Sequence, residues 1–242
     1  MNRGRAGAAL VGLVLAACAG AQAQNVVETR LPAAAAAPAV GSGYREQVDR
    51  ATRAVLAGDV EAAMPALRQA VAYCDRQLAR PGLRFVSVGT AREYERYAAT
   101  HPAATPLEWL DMACPRAYHM TGYVLAGQGR HAEALPWLDK AIALAPYFPD
   151  PANERAAALN RLGRLDEAIA GYRQVLELAR ADPDAAYIAP LAWRGIGWAL
   201  AEKRDWGAAR TAYETSLRLD PGNALARSEL DYIARQADAS PP

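Results

Sequence analysis

The strongest constraint on this chain is a periodic pattern in its second half. Ala134, Ala168 and Ala209 are each followed four residues on by Leu138, Tyr172 and Tyr213, and seven residues on by Ala141, Val175 and Ser216. Ala134 and Ala168 stand 34 residues apart, and the third copy follows after a somewhat longer gap. Steps of three and four place each set on one helical face, where small residues let paired helices approach and large ones fill the space between them. Ahead of these stripes, Tyr118, Thr121, Gly122 and Leu125 match Trp193, Ile196, Gly197 and Leu200, while the middle unit keeps only Ala152, Ala156 and Leu159. Pro146 and Pro221 close two of the second helices, because a ring without an N–H cannot continue the ladder. A helical hairpin of this kind cannot bury its own apolar face and has to stack on its neighbours. The expected fold class is therefore all-α, a solenoid of helical hairpins.

The last unit carries the fullest pattern: Trp193, Ile196, Gly197, Leu200, Ala209, Tyr213 and Pro221. It resembles the tetratricopeptide repeat family, and the resemblance runs over roughly residues 115–223. The family frame places repeats at 115–148, 149–182 and 190–223, with a short insertion before the third. Residues 224–237, with Leu225, Leu230, Tyr232 and Ile233 among charged neighbours, suit the terminal capping helix that such a stack needs for solubility. Upstream, Gly58, Ala63, Pro65, Leu67 and Ala70 repeat the offsets of Gly129, Ala134, Pro136, Leu138 and Ala141. A degenerate first repeat is expected at 44–77, with an ordinary Ala-rich hairpin as the rival reading. Residues 78–114 interrupt the frame as an insertion.

Residues 1–18 read as an export signal, with Arg3 and Arg5 as a positive start and Ala8 to Ala17 as a short apolar core. That core is shorter than the ~20 residues a membrane-crossing helix needs. Two cleavage sites compete. Leu15-Ala16-Ala17-Cys18 resembles the bacterial lipobox, which implies a lipid on Cys18, whereas Ala21-Gln22-Ala23 offers ordinary cleavage after residue 23. Ala19, in place of the Asp that holds enteric lipoproteins at the inner membrane, points by the same resemblance to the outer membrane. Residues 19–43 are rich in Ala and Pro and too poor in large apolar side chains to order themselves, so they read as a disordered tether. Three cysteines are an odd number for an exported chain, and a lipid on Cys18 leaves Cys74 and Cys114 as one pair. Those two fall at the ends of the insertion. A disulfide stapling its base, suited to an oxidising periplasm, and two buried free thiols both fit.

A formal charge of +1 over 242 residues supplies no phosphate-neutralising field, so nucleic acid is not an expected partner. His101, His119 and His131 are isolated and no paired C-x-x-C occurs, so neither a metal nor a cofactor is expected. The acidic residues of the insertion are Glu93, Glu95, Glu108 and Asp111. Thr90-x-x-Glu93 and Thr105-Pro106-x-Glu108 both read as capping boxes that open helices. Arg84 to Val88 suits a short extended segment, followed by a helix that ends at His101-Pro102 and carries Tyr94 and Tyr97 on one face, packing it onto the stack.

In the tetratricopeptide family the concave face is lined by fixed positions of each first helix. The resemblance transfers that lining to Arg116, His119 and Tyr123, then to Asp150, Asn153, Asn160 and Arg161, then to Arg194, Trp198 and Glu202. Arg194 and Trp198 are four apart, which brings a cation within reach of an indole face. The family's carboxylate clamp, with its Lys and Asn, has no counterpart at these positions. The function expected from these readings is a non-enzymatic scaffold or adaptor in the periplasm, anchored to the outer membrane as a lipoprotein and binding a protein or peptide partner in the groove. Two other readings stay open: an envelope enzyme using Glu93, Glu108 and Asp111 with His101, and a homo-oligomeric spacer.

Overall fold

In the described hairpins one turn recurs, and its chemistry is local. The computed structural model describes residues 40–101 and 107–239; the expected signal, Cys18, Thr105 and most of the tether lie outside the described residues. The helices pair as α1 (Arg45–Leu56) with α2 (Val60–Leu78), α4 (Ala113–Gly127) with α5 (His131–Leu144), α6 (Pro149–Arg161) with α7 (Leu165–Ala181), and α8 (Ala189–Glu202) with α9 (Trp206–Leu219). Each pair closes with a backbone N–H reaching five residues back: Asp59 to Ala54 O, Arg130 to Leu125 O, Arg164 to Leu159 O and Asp205 to Leu200 O, at 2.9–3.0 Å. That bond requires a left-handed residue just before the donor. Gly58, Gly129 and Gly163 supply it in the first three hairpins, with φ of 86, 77 and 73°. Arg204 supplies it in the fourth, with φ 61°, where a Cβ meets the following carbonyl at a cost of about 1–2 kcal/mol. Arg204→Gly is expected to raise stability by about 0.5–1 kcal/mol, the relief of strain outweighing the freedom glycine adds to the unfolded chain. A urea midpoint that stays put or falls would contradict this.

The stripes read from the sequence form the interior. Ala134, Leu138, Ala141, Ala168, Tyr172, Val175, Ala209, Tyr213 and Ser216 are each at most 3 % exposed. Ser216, the polar member, donates its hydroxyl to Pro190 O at 2.9 Å. In the first hairpin Ala63, Leu67 and Ala70 are buried in the same way, packed with Val48 and Val55 of α1. A 3-10 turn at Pro183–Ile188 fills the gap between α7 and α8, and α10 (Ala224–Ala239) buries Ala226 and Ile233 against α9 while Leu225 and Tyr232 stay exposed. Among the described residues no helix is long and apolar enough to cross a membrane.

The insertion departs from expectation in two places. Leu107–Trp109 does not open a helix; it is a strand, β2, paired in parallel with β1 (Arg84–Val86) in the register Arg84–Leu107, Phe85–Glu108, Val86–Trp109. Parallel strands need a crossover, and α3 (Ala91–Thr100) provides it. Tyr94 and Tyr97 hold α3 to this small sheet rather than to the repeats, their rings lying 4.7 and 6.0 Å from Trp109. The sheet also reaches back to residue 40. Val40 N donates to Trp109 O at 3.1 Å and Asp111 N to Val40 O at 2.9 Å, while Tyr44 rests on Tyr73 at 4.6 Å. Residues 40–43 are therefore fixed to the insertion and are not part of a disordered tether, because the strand edge supplies backbone partners that Ala/Pro-rich sequence lacks on its own.

Cys74, near the end of α2, and Cys114, at the start of α4, are joined by a disulfide with Cα atoms 5.7 Å apart. Both are fully buried. Beside them Asp111, 2 % exposed, accepts from Arg45 Nε at 3.1 Å and caps α4 by accepting from Ala113 N at 2.9 Å.

Candidate functional site

Curvature of the stack follows from which helices touch. The first helices form a continuous row, α1 on α4, α4 on α6 and α6 on α8, whereas α7 makes no comparable contact with α5 or α9. The array closes toward its first helices, which line an inner face.

The residues transferred to that face meet different fates. Arg116 pairs with Asp49 of α1 at 2.9 Å. His119 is 7 % exposed, wedged edge-on against Phe148 at 5.4 Å, and its Nε2 has no partner. Burial pushes its pKa down to about 4, so the ring is neutral at pH 7. Tyr123 is half-buried beside it. Asn153, 6 % exposed, leaves Oδ1 without a partner. Asn160 is structural: its Nδ2 donates to Gly195 O at 3.0 Å and so ties α6 to α8.

The aromatic–cation pair differs from expectation in its cation. Arg161, from the repeat before, lies over the Trp198 ring at 5.4 Å. Arg194 turns instead toward the end of α9, donating to Asp220 Oδ2 at 3.1 Å and to Ser216 Oγ at 3.3 Å. A charge-assisted bond outweighs a ring contact, and Asp220 is within reach of Arg194 alone of the two. Arg161 has no ion pair among the described residues and is left for the indole. Glu202, at the end of α8, is exposed.

The insertion carboxylates are spent on structure and do not converge. Glu93 accepts from Gly89 N at 2.6 Å while Thr90 Oγ1 accepts from Glu93 N at 3.1 Å, a reciprocal cap. Glu108 takes Arg80 through two bonds at 2.7 and 2.8 Å, Asp111 holds Arg45, and His101 stacks on Tyr97 at 4.1 Å. Among the described residues no group of three or more His, Cys, Asp or Glu could hold a metal ion.

Two residues the sequence reading passed over complete the face. Tyr187, exposed in the 3-10 turn, donates its hydroxyl to Asp150. Glu154 stands one helical turn after Asp150, half-buried, with no hydrogen bond or ion pair among the described residues. Burial, and then the nearby Asp150, push its pKa up to about 7. The i, i+4 spacing from Asp150 was the available signal; the repeat frame alone does not mark it.

These two shifts act on stability with opposite sign. Glu154, raised from 4.5, holds its proton more tightly in the folded chain, so its contribution is full below about pH 4.5 and is lost as pH rises toward 7. His119, lowered from 6.5, costs stability as pH falls from 6.5 toward 4. Glu154→Gln is thus expected to be more stable than the parent at pH 8, the difference closing as pH falls to about 4.5. Denaturation midpoints across that range check it, and a constant or inverted difference would rule it out.

Family models described as tetratricopeptide repeat match residues 115–148 and 149–221. The chain is 45% identical over 65 residues to the TPR repeat-containing thioredoxin TTL4 of Arabidopsis thaliana, covering 27% of this chain and 9% of that protein. It is 29% identical over 129 residues to Protein O-mannosyl-transferase TMTC1 of Homo sapiens, covering 52% of this chain and 14% of that protein. The chain thus spans a small part of the length of these relatives. In fold it is similar to MamA, residues 41 to end, from Desulfovibrio magneticus RS-1, at 17% identity and a TM-score of 0.50, over 83% of this chain and 88% of that one. Matched by two models of one repeat type and folded as stacked hairpins, residues 115–221 make this chain a tetratricopeptide repeat protein.

Proposed function

We propose that this chain is a non-catalytic adaptor of the bacterial envelope that holds a segment of another protein against its inner face. The observation that carries the reading is the Arg161–Trp198 pair. It spans a repeat boundary, it satisfies no carboxylate, and aromatic and Arg side chains dominate the energetics of protein contacts. An envelope location is supported by the export pattern of residues 1–18, whose lipobox-like Cys18 would anchor the chain to the outer membrane, and by the Cys74–Cys114 bond, which suits an oxidising compartment.

The test is co-purification of the tagged chain from its native cells. Arg161→Ala with Trp198→Ala is expected to reduce recovery of the bound protein about tenfold or more, while Arg173→Ala, on the exposed side of α7, leaves it unchanged. Equal recovery with both variants would refute the inner-face reading.

A further inference from the structure

The charges of the inner face do not balance, and the imbalance is local. Arg116 is taken by Asp49, Arg194 by Asp220, and Arg92 of the insertion by Asp182, with Asp184 at 3.6 Å. Asp150 accepts from the neutral hydroxyl of Tyr187 and from a backbone N–H but has no ion pair, and Glu154 has neither a hydrogen bond nor an ion pair among the described residues. Arg116 acts on Asp150 from farther off, without overcoming the burial that raises the Asp150 pKa. Glu93 adds a further negative charge felt at Tyr187.

A second observation concerns donors rather than charge. Asn153 lies on the same face of α6, three residues after Asp150 and adjacent to Glu154, and its Oδ1 is shut in without a hydrogen-bond partner. A buried acceptor left unpaired costs about 1–3 kcal/mol. On one turn of helix, Glu154 and the amide oxygen of Asn153 thus lack donors among the described residues, and Asp150 lacks a cation. Beside them Tyr187, exposed and bonded to Asp150, offers its ring to an aliphatic stem.

Resting on the inner-face reading, we infer that the bound segment presents a guanidinium or ammonium group, an Arg or Lys side chain, to Asp150 and Glu154, with its stem against Tyr187. Of the two, Arg fits better, since its planar fork of five N–H groups can serve both carboxylates together. The site inverts the carboxylate clamp, in which the repeat protein supplies the cation. Neutral His119, packed on Phe148 at the start of α6, does not compete for the carboxylates.

The test is selection from a random-peptide phage library on the purified chain, followed by affinities of synthetic winners. Enriched peptides should share a basic residue. Replacing it with citrulline, or making Asp150→Asn with Glu154→Gln, should each weaken binding about tenfold or more, and the two losses should not add. Both substitutions keep shape and hydrogen-bonding capacity, and an unchanged circular dichroism spectrum verifies the fold. Peptides that depend on Trp198 yet lack a shared basic residue, or that bind the double variant equally well, would overturn the cation inference and leave the inner-face reading standing. Absence of any enriched peptide, including through occupation of the face by a second copy of this chain, would overturn both.

Discussion

Gly195→Ala is expected to remove about 3 kcal/mol of stability, the largest effect of any single methyl group added to this chain. A Cβ at residue 195 would stand 2.1 Å from Tyr172 Cζ and 2.5 Å from both Tyr172 Cε atoms. Tyr172 cannot swing aside: it is 3 % exposed and packed in the core with Ala156, Leu159 and Ile188. The backbone of α8 is no freer, since Gly195 O accepts from Asn160 of α6. Relief should therefore come from shrinking the ring. Tyr172→Leu alone leaves a cavity and costs about 2–4 kcal/mol, but on that background Gly195→Ala should cost less than about 1 kcal/mol, a coupling of roughly 2 kcal/mol. Urea unfolding of the four proteins measures it. Additive losses would mean that the ring and the glycine do not set the α7–α8 approach.

Removing the Cys74–Cys114 bond, by reduction or by Cys74→Ala with Cys114→Ala, is expected to cost about 4 kcal/mol, the loop entropy of a 40-residue separation. For a chain of this size that corresponds to a fall in Tm of roughly 10 °C. Part of the insertion should hold without it, through Val40 on the sheet, Ser87 N on Leu144 O and Arg92 on Asp182. The loss should accordingly be one of stability with the helical spectrum retained. Calorimetry with and without reductant decides this, and a Tm that moves by less than about 2 °C would show that the folded contacts alone already close the loop.

The repeat was legible because its determinants are local: Ala134 and Leu138 meet within one turn of one helix, and Gly129 sits in a turn that six consecutive residues define. Gly197 was legible for the same reason, facing Tyr213 of its own hairpin. Gly195 was not, because its neighbour Tyr172 belongs to the preceding repeat and no spacing within one unit records it. The same limit explains the misassigned cation. Arg194 and Trp198 are four apart, which permits a contact, but Asp220 from the end of α9 competes for Arg194 and Arg161 arrives from another helix. In the insertion the Thr90–Glu93 cap could be read from four residues, whereas Glu108 looked like a second cap until pairing with β1, more than twenty residues earlier, made its segment a strand. Asp150 was found through the family frame and Glu154 could have been read from its spacing on the same helix, whereas Tyr187 needed the fold to bring its turn to α6.

The account's central claim, that partners are held on the inner face, is tested most directly by photo-crosslinking in the native cell with a benzoylphenylalanine at Tyr123, Tyr187 or Trp198 and, as outer control, at Arg173. The expected result is one recurrent partner protein captured from the three inner positions and none from Arg173. Capture from Arg173 alone, or equally from all four, would contradict it.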